Sequence, residues 1–312
     1  MLKSRNSQII RMGDRLFPRA ALICALIVVA ILINILIILF IQAWPAIRGT
    51  GASFFVSSTW DPVKNAYGAL PAIYGTLVSS LLALLIAVPI SLGAAIFLVE
   101  LSPAWLRTPA SFLIEMLAAI PSVIVGLWGL FVLVPVVRNP IESWLGTHLG
   151  NLPFFTGPPF GFGFLAAAII LAIMIIPIIT AMSRDVLRAV PSAQREAMLA
   201  LGATRWETIN KAVLPYGRSG LVGAIMLGLG RALGETMAVT MVIGNGYRLT
   251  ASLFSPGTTV ASKLASDFGE SAGLSLSSLI ELALILFIIT LLVNVVARLL
   301  VWRMTSVKGH QG

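Results

Sequence analysis

Arg231 and Glu235 stand four positions apart inside a long apolar run. On a continuous helix that spacing puts both side chains on one face, one turn apart. If the run crosses a membrane, a lone arginine near its middle costs about 2.5–3.5 kcal/mol on insertion scales, and leucine would carry no such cost. Partial neutralisation by Glu235 lowers that cost. The pair therefore reads as lining a translocation path, with Arg231 attracting an oxyanion and Glu235 orienting and partly neutralising it. The competing reading is an interhelical or gate-stabilising ion pair that never meets solute. Glu115 is a candidate for a further buried partner, and Glu281 lies near enough to an interface to be hydrated. Asn34 and Asn294 fit interhelical hydrogen bonds.

Other chemistry is excluded by residue type. The single cysteine, Cys24, allows no disulfide framework, CxxC pair or cysteine-based zinc site. The two histidines, His148 and His310, lie far apart and form no HExxH pair. No GxxxxGK[ST] phosphate loop is present. The nearest glycine-rich run (Gly228, Gly230, Gly234) lies in an apolar stretch and follows no strand. No Ser–Lys or Ser–His arrangement has a plausible spacing. No catalytic residue, metal ligand or cofactor site is expected in this chain.

The elements that must position the charged pair follow from composition. Of 312 residues, 58% are hydrophobic and 11% charged, whereas soluble domains carry about 25% charged residues. With a mean hydropathy of +0.98, the chain cannot be one soluble globule or a disordered segment. A bilayer core needs roughly 20 mostly apolar helical residues. Six stretches qualify: 20–41, 73–99, 112–137, 164–182, 221–243 and 279–301. The fold expected is all-α, a polytopic membrane protein of six transmembrane helices. Pro89, Pro121 and Pro177 fall inside these runs and predict kinks. The first stretch is too long for a cleaved signal peptide, and Trp44 and Pro45 follow it in place of small residues. It reads as a retained anchor. In the fifth stretch Gly220, Ala224, Gly228, Ala232, Thr236, Thr240 and Gly244 recur every four positions, a seam for close helix packing.

Lysine and arginine alternate by side. Lys3, Arg5, Arg11, Arg15, Arg19, Arg107, Arg184, Arg188, Arg195, Arg205, Lys211, Arg218, Arg298, Arg303 and Lys308 fall on one side. Only Arg48, Lys64, Arg138, Arg248 and Lys263 fall on the other. The positive-inside rule places both termini in the cytoplasm. The net charge of +9 needs no nucleic acid to explain it. The organisation expected is a cytoplasmic segment over 1–19, a permease-like domain over 20–302 and a cytoplasmic tail over 303–312. The loop at 151–163 is either a docking surface for an external partner or an ordinary connection.

The cytoplasmic loop at 184–218 is much longer than a bare connection. Pro191 suits a first helical turn, and 194–201 reads as helix until Gly202. Thr204 and Glu207 form a T-x-x-E capping box. It starts a second helix with Trp206, Ile209, Ala212 and Val213, expected to stop before Pro215. Such a pair suits contact with another protein.

Glu196-Ala197-Met198, Gly202 and Leu214-Pro215 resemble the EAA loop of ATP-binding-cassette (ABC) importer permeases. Met198 replaces the third-position alanine, and Ala212 stands where isoleucine is usual. Residues 228–245, GLGRALGETMAVTMVIGN, resemble the phosphate-specific transport permeases of PstC type. So do Tyr74-Gly75-Thr76-Leu77, the run 117–122 and the run 161–174, and the likeness extends from about 44 to 302. The resemblance implies a type I ABC importer permease for inorganic phosphate in the bacterial inner membrane. Its loop residues Glu196, Ala197, Gly202, Leu214 and Pro215 would couple to a separate ATPase. It also implies a PstA-like second permease, a PstB-like ATPase dimer that uses Mg-ATP, and a periplasmic or lipid-anchored PstS-like phosphate-binding protein. The rival readings are a sulfate or molybdate permease and, from another mechanistic class, an ion-coupled secondary transporter.

Overall fold

The computed structural model describes residues 2–306, with side chains for 17–299 and 301–303. The side chains of Lys3, Arg5, Arg11 and Arg15, together with Lys308, His310 and most of the 303–312 tail, lie outside the described residues. In chain order the elements begin with α1 (Leu2–Thr50), α2 (Ser53–Val56), β1 (Trp60–Asp61), β2 (Ala66–Tyr67), α3 (Leu70–Leu101) and α4 (Ala104–Ala118). They continue with α5 (Ser122–Leu149), α6 (Phe164–Arg188), α7 (Ser192–Ala200), α8 (Arg205–Gly234), α9 (Met237–Val242), α10 (Val260–Asp267) and α11 (Leu274–Ser306). Among the described residues six helices are long and apolar enough to cross a membrane: α1, α3, α5, α6, α8 and α11. The two strands form a small antiparallel hairpin, with Trp60 opposite Tyr67.

Burial sorts the spans. In the most apolar window of α6, 67% of residues are buried, against none in α1. The central helix is therefore α6, and α3, α4 and α8 pack around it while α1 lies outside against α11. The main core gathers Ala83 and Ala87 of α3, Ile170, Ile175 and Ile179 of α6, and Ala238 and Val242 of α9. The small-residue seam on α8 meets α6 as its spacing predicts. A Cβ on Gly228 would stand 2.6 Å from Ile179, and one on Gly220 would stand 2.7 Å from Val186.

Three boundaries differ from expectation. The third span runs Ser122–Leu149 rather than 112–137. Pro121 is extended (φ −59°, ψ 136°) and has no N–H to donate, so the apolar run divides into α4 and α5 instead of kinking. The fifth span is not continuous over 221–243. Helix α8 ends at Gly234, Glu235 is extended (φ −69°, ψ 123°), and the six-residue α9 follows. Finally, the second loop helix does not stop before Pro215. A π turn at Ile209–Val213, in which the Leu214 N–H donates to the Ile209 carbonyl, carries the chain through the proline into the span. Proline sits there at the start of the following α-helical register, where its missing N–H costs little. Pro89 and Pro177 remain within α3 and α6.

The end of the bundle at which α3 and α6 begin is closed by the segment after α9. Gly257 N–H donates to Ile243 O (2.9 Å), and Leu165 N–H donates to Leu253 O (2.9 Å). Thr76 Oγ1 accepts the Val260 N–H at 2.9 Å. This closure needs glycine at 75, where a Cβ would lie 1.9 Å from the Thr258 carbonyl oxygen. Gly93 lies on the same helix with open space around it. Thermal unfolding in detergent should separate the two. Gly75→Ala is expected to lose about 1–3 kcal/mol through overpacking against backbone, whereas Gly93→Ala gains up to about 1 kcal/mol of helix propensity.

Candidate functional site

The break between α8 and α9 brings charged side chains and interrupted backbone together within the span bundle. Its freed backbone groups are met locally. Thr236 Oγ1 donates to Gly234 O (3.2 Å), and Thr240 Oγ1 donates to Thr236 O (2.7 Å). Glu235 is buried, and its Oε1 accepts the Ala238 N–H at 3.5 Å. Arg231 and Glu235 therefore do not stack on one helical face, because the backbone leaves the helix between them. The expected ion pair between them is not formed, and no carboxylate pairs with Arg231 among the described residues.

They nevertheless share a cavity. Both line an open groove of about 640 Å³ with Ile178, Met226, Leu227, Gly230, Gly234 and Asn294. Arg231 also borders an apolar recess of about 230 Å³ formed by Leu117, Ala118, Ile120, Val125, Ile173, Met174, Ile176 and Pro177. The guanidinium thus stands between the α4–α5 break and the α8–α9 break. Arg231 is exposed to this groove, and a guanidinium with no carboxylate partner among the described residues presents a planar fork that matches oxyanion geometry.

Other predicted residues settle differently. Glu115 is half-exposed at the end of α4 and pairs with Arg184 at 2.9 Å. Glu281 is buried at 4% exposure rather than hydrated. Asn294 donates to Thr290 O of its own helix (2.9 Å), so its bond is not interhelical, and Asn34 is exposed. Glu142 was not singled out from the sequence. It is buried in the C-terminal part of α5, where its Oε2 accepts the Gly161 N–H at 2.8 Å. Its neighbours in sequence, Arg138, Asn139, Pro140 and Ser143, gave it no contrast with an ordinary loop acid.

At the opposite end, α7 and the start of α8 form the expected helix pair. Pro191 is the N-cap of α7 and precedes its first turn. Gly202 ends the helix at φ +81°. The Gly202 N–H donates to Leu199 O and the Ala203 N–H to Met198 O, a closing pair that needs a left-handed residue. Thr204 Oγ1 then accepts the Glu207 N–H, and Glu207 Oε2 accepts the Thr204 N–H at 2.9 Å, completing the capping box. Glu196 and Ala197 face outward, as do Leu199, Leu201 and Trp206, whereas Met198 is half-buried. Pro215 is exposed. Leu214 packs on the inner cluster of Ala95, Leu187, Val190, Val213 and Leu221. The outward apolar side chains make a surface suited to another protein.

Residues 87–306 match the family described as binding-protein-dependent transport system inner membrane component. The chain belongs to this family. It is also 51% identical to the phosphate transport system permease protein PstC of Haemophilus influenzae, over 95% of each chain. The Xylella fastidiosa (strain Temecula1) protein of the same name is 52% identical, over 85% of this chain and 83% of its own. Among solved structures, the inward-facing MetNI methionine ABC transporter superposes with a TM-score of 0.57 at 19% identity, covering 79% of this chain and 99% of that one. The transport-system component is thus a multi-pass inner membrane protein with a type I ABC importer permease fold, as its PstC-type motifs imply.

The Gly202 turn provides a local test. Gly202→Ala places a Cβ on a left-handed residue at a cost of about 1–2 kcal/mol. It should raise hydrogen exchange across 192–208, with Gly202→Asn closer to wild type.

Proposed function

We propose that this chain is the permease subunit that carries inorganic phosphate through an ABC importer, driven by a separate ATPase. The observation that carries the reading is near full-length identity to proteins named as phosphate transport permeases. The unpaired Arg231 on an open groove fits the same cargo. In this reading the permease hydrolyses nothing itself, and Mg-ATP is used by a PstB-like ATPase pair. A PstA-like permease supplies the other wall of the path, and a PstS-like binding protein delivers phosphate to the outer loops. The excess of Lys and Arg on one set of segments supports cytoplasmic termini.

Loaded binding protein favours an outward-open groove. ATP-driven closure acts on the outward face of α7, through Glu196 and Ala197, and on α8 through Leu214 and Pro215. The spans behave as a two-state element biased from both sides. Arg231 meets the anion in transit while Glu235 limits the local positive charge.

Two substitutions separate these roles in the assembled transporter. Arg231→Gln should lower phosphate uptake about tenfold or more, the loss of one charge-assisted contact, with the ATPase still co-purifying. Uptake at the wild-type rate would remove Arg231 from the path. Glu196→Lys should instead release the ATPase during purification. Competition by arsenate but not sulfate distinguishes phosphate from the other oxyanions. Uptake without any ATPase would favour ion-coupled transport.

A further inference from the structure

We propose that Arg195 is a positioning residue that clamps the coupling helix to two membrane spans at once, and so transmits ATPase movement to them. The proposal rests on the reading of α7 as the ATPase contact. Arg195 is inward-facing on α7, next in sequence to outward-facing Glu196. Its Nε donates to Glu100 Oε1 at 3.1 Å, and its Nη2 donates to the same oxygen at 2.8 Å. Nη2 also donates to Leu187 O (2.9 Å), and Nη1 donates to Val190 O (2.6 Å). Glu100 belongs to the π turn that ends α3, and Leu187 lies in the last turn of α6. One guanidinium therefore joins α7 to the cytoplasmic ends of α3 and α6.

Charge and burial favour this placement. The last carbonyls of a helix lack internal partners and attract cations. Here Arg195 meets one such carbonyl, Leu187 O, and the Val190 carbonyl just past the end of α6, while its remaining edge takes a carboxylate. Both side chains of the ion pair are mostly buried, at 22% and 12% exposure. The pair borders the packed cluster of Ala95, Leu187, Val190, Val213 and Leu221. By contrast α7 has no buried residue of its own. Apolar packing alone holds it weakly, so force applied to its outer face needs a firm inner tie to reach the spans. Lysine cannot replace this tie fully, since a single ammonium cannot reproduce the planar fork.

The test uses the whole transporter in proteoliposomes with its binding protein, reading ATP hydrolysis and phosphate uptake in the same vesicles. Arg195→Gln and Glu100→Gln should each keep the ATPase bound and hydrolysing while phosphate imported per ATP falls about tenfold or more. Arg195→Lys should fall between. The double variant should be no worse than Arg195→Gln alone, because both changes break one link. Hydrogen exchange provides a readout independent of cargo: Arg195→Gln should speed exchange at 97–101 and 187–190. A wild-type import ratio, loss of the ATPase on purification, additive effects, or unchanged exchange at 97–101 would each overturn the clamp. A wild-type complex that hydrolyses ATP without importing phosphate would sink the functional reading instead, and the exchange result would still decide the clamp.

Discussion

A helix inside a bilayer can stop only where its freed N–H and C=O groups find partners other than water. The membrane interior of this chain is organised by two such stops. At the first, the Ala119 N–H donates to Met116 O and the Ile120 N–H to Leu117 O before Pro121, and the next helix opens with the Ile124 N–H donating to the Pro121 carbonyl. At the second, the Thr236 hydroxyl donates to Gly234 O and the Glu235 carboxylate accepts the Ala238 N–H. The segments that follow these stops pack against each other at Gly126, where a Cβ would stand 2.7 Å from Met241 Sδ and 3.0 Å from the Ala238 Cα. With these hydrogen bonds at both breaks, an apolar wall holds a polar notch that Arg231 lines.

The same helix that ends at the notch begins in the loop at 184–218. Helix α8 spans 30 residues, roughly 45 Å at the usual rise per residue. Its origin is fixed by the Thr204–Glu207 capping box. Pro215 does not interrupt it, since the π turn at Ile209–Val213 absorbs the change of register. In the proposed mechanism, displacement at the loop reaches the groove along this one element, which is pressed to α6 by its glycine seam. The Arg195–Glu100 link adds α3 to that unit. The loop and the notch are two ends of one helix.

The number of spans, the capping box and the small-residue seam were legible in the sequence because each depends on near-neighbour patterns. Apolar length reports membrane crossing, T-x-x-E reports a helix start, and a four-residue repeat of small side chains reports a packing face. The breaks at Pro121 and Glu235 were not legible. Hydropathy is blind to a helix that stops within apolar sequence, and Glu235 leaves the helix without any proline to mark it. That one missed dihedral turned a stacked ion pair into two separate groups. Glu100 and Arg195 were hidden for another reason. They lie 95 positions apart, and only the folding of α3 against the end of α6 brings them together.

An unpaired Arg231 has consequences for the proposed transport. Had Glu235 neutralised it directly, an anion would have had to displace a tight partner, and the groove would have favoured no charge. With the carboxylate turned toward backbone, the groove keeps a cation that can accept an oxyanion in its fork. Among the described residues Arg231 is the single cation lining this groove, and in the proposed transport one guanidinium gives a weak foothold, which suits a path that must also release the anion. The same economy limits discrimination, because tetrahedral oxyanions present similar oxygens to a single fork. On this reading selectivity resides chiefly in the external binding protein, and the permease supplies a transient foothold whose exposure is set by the motion of α7 and α8.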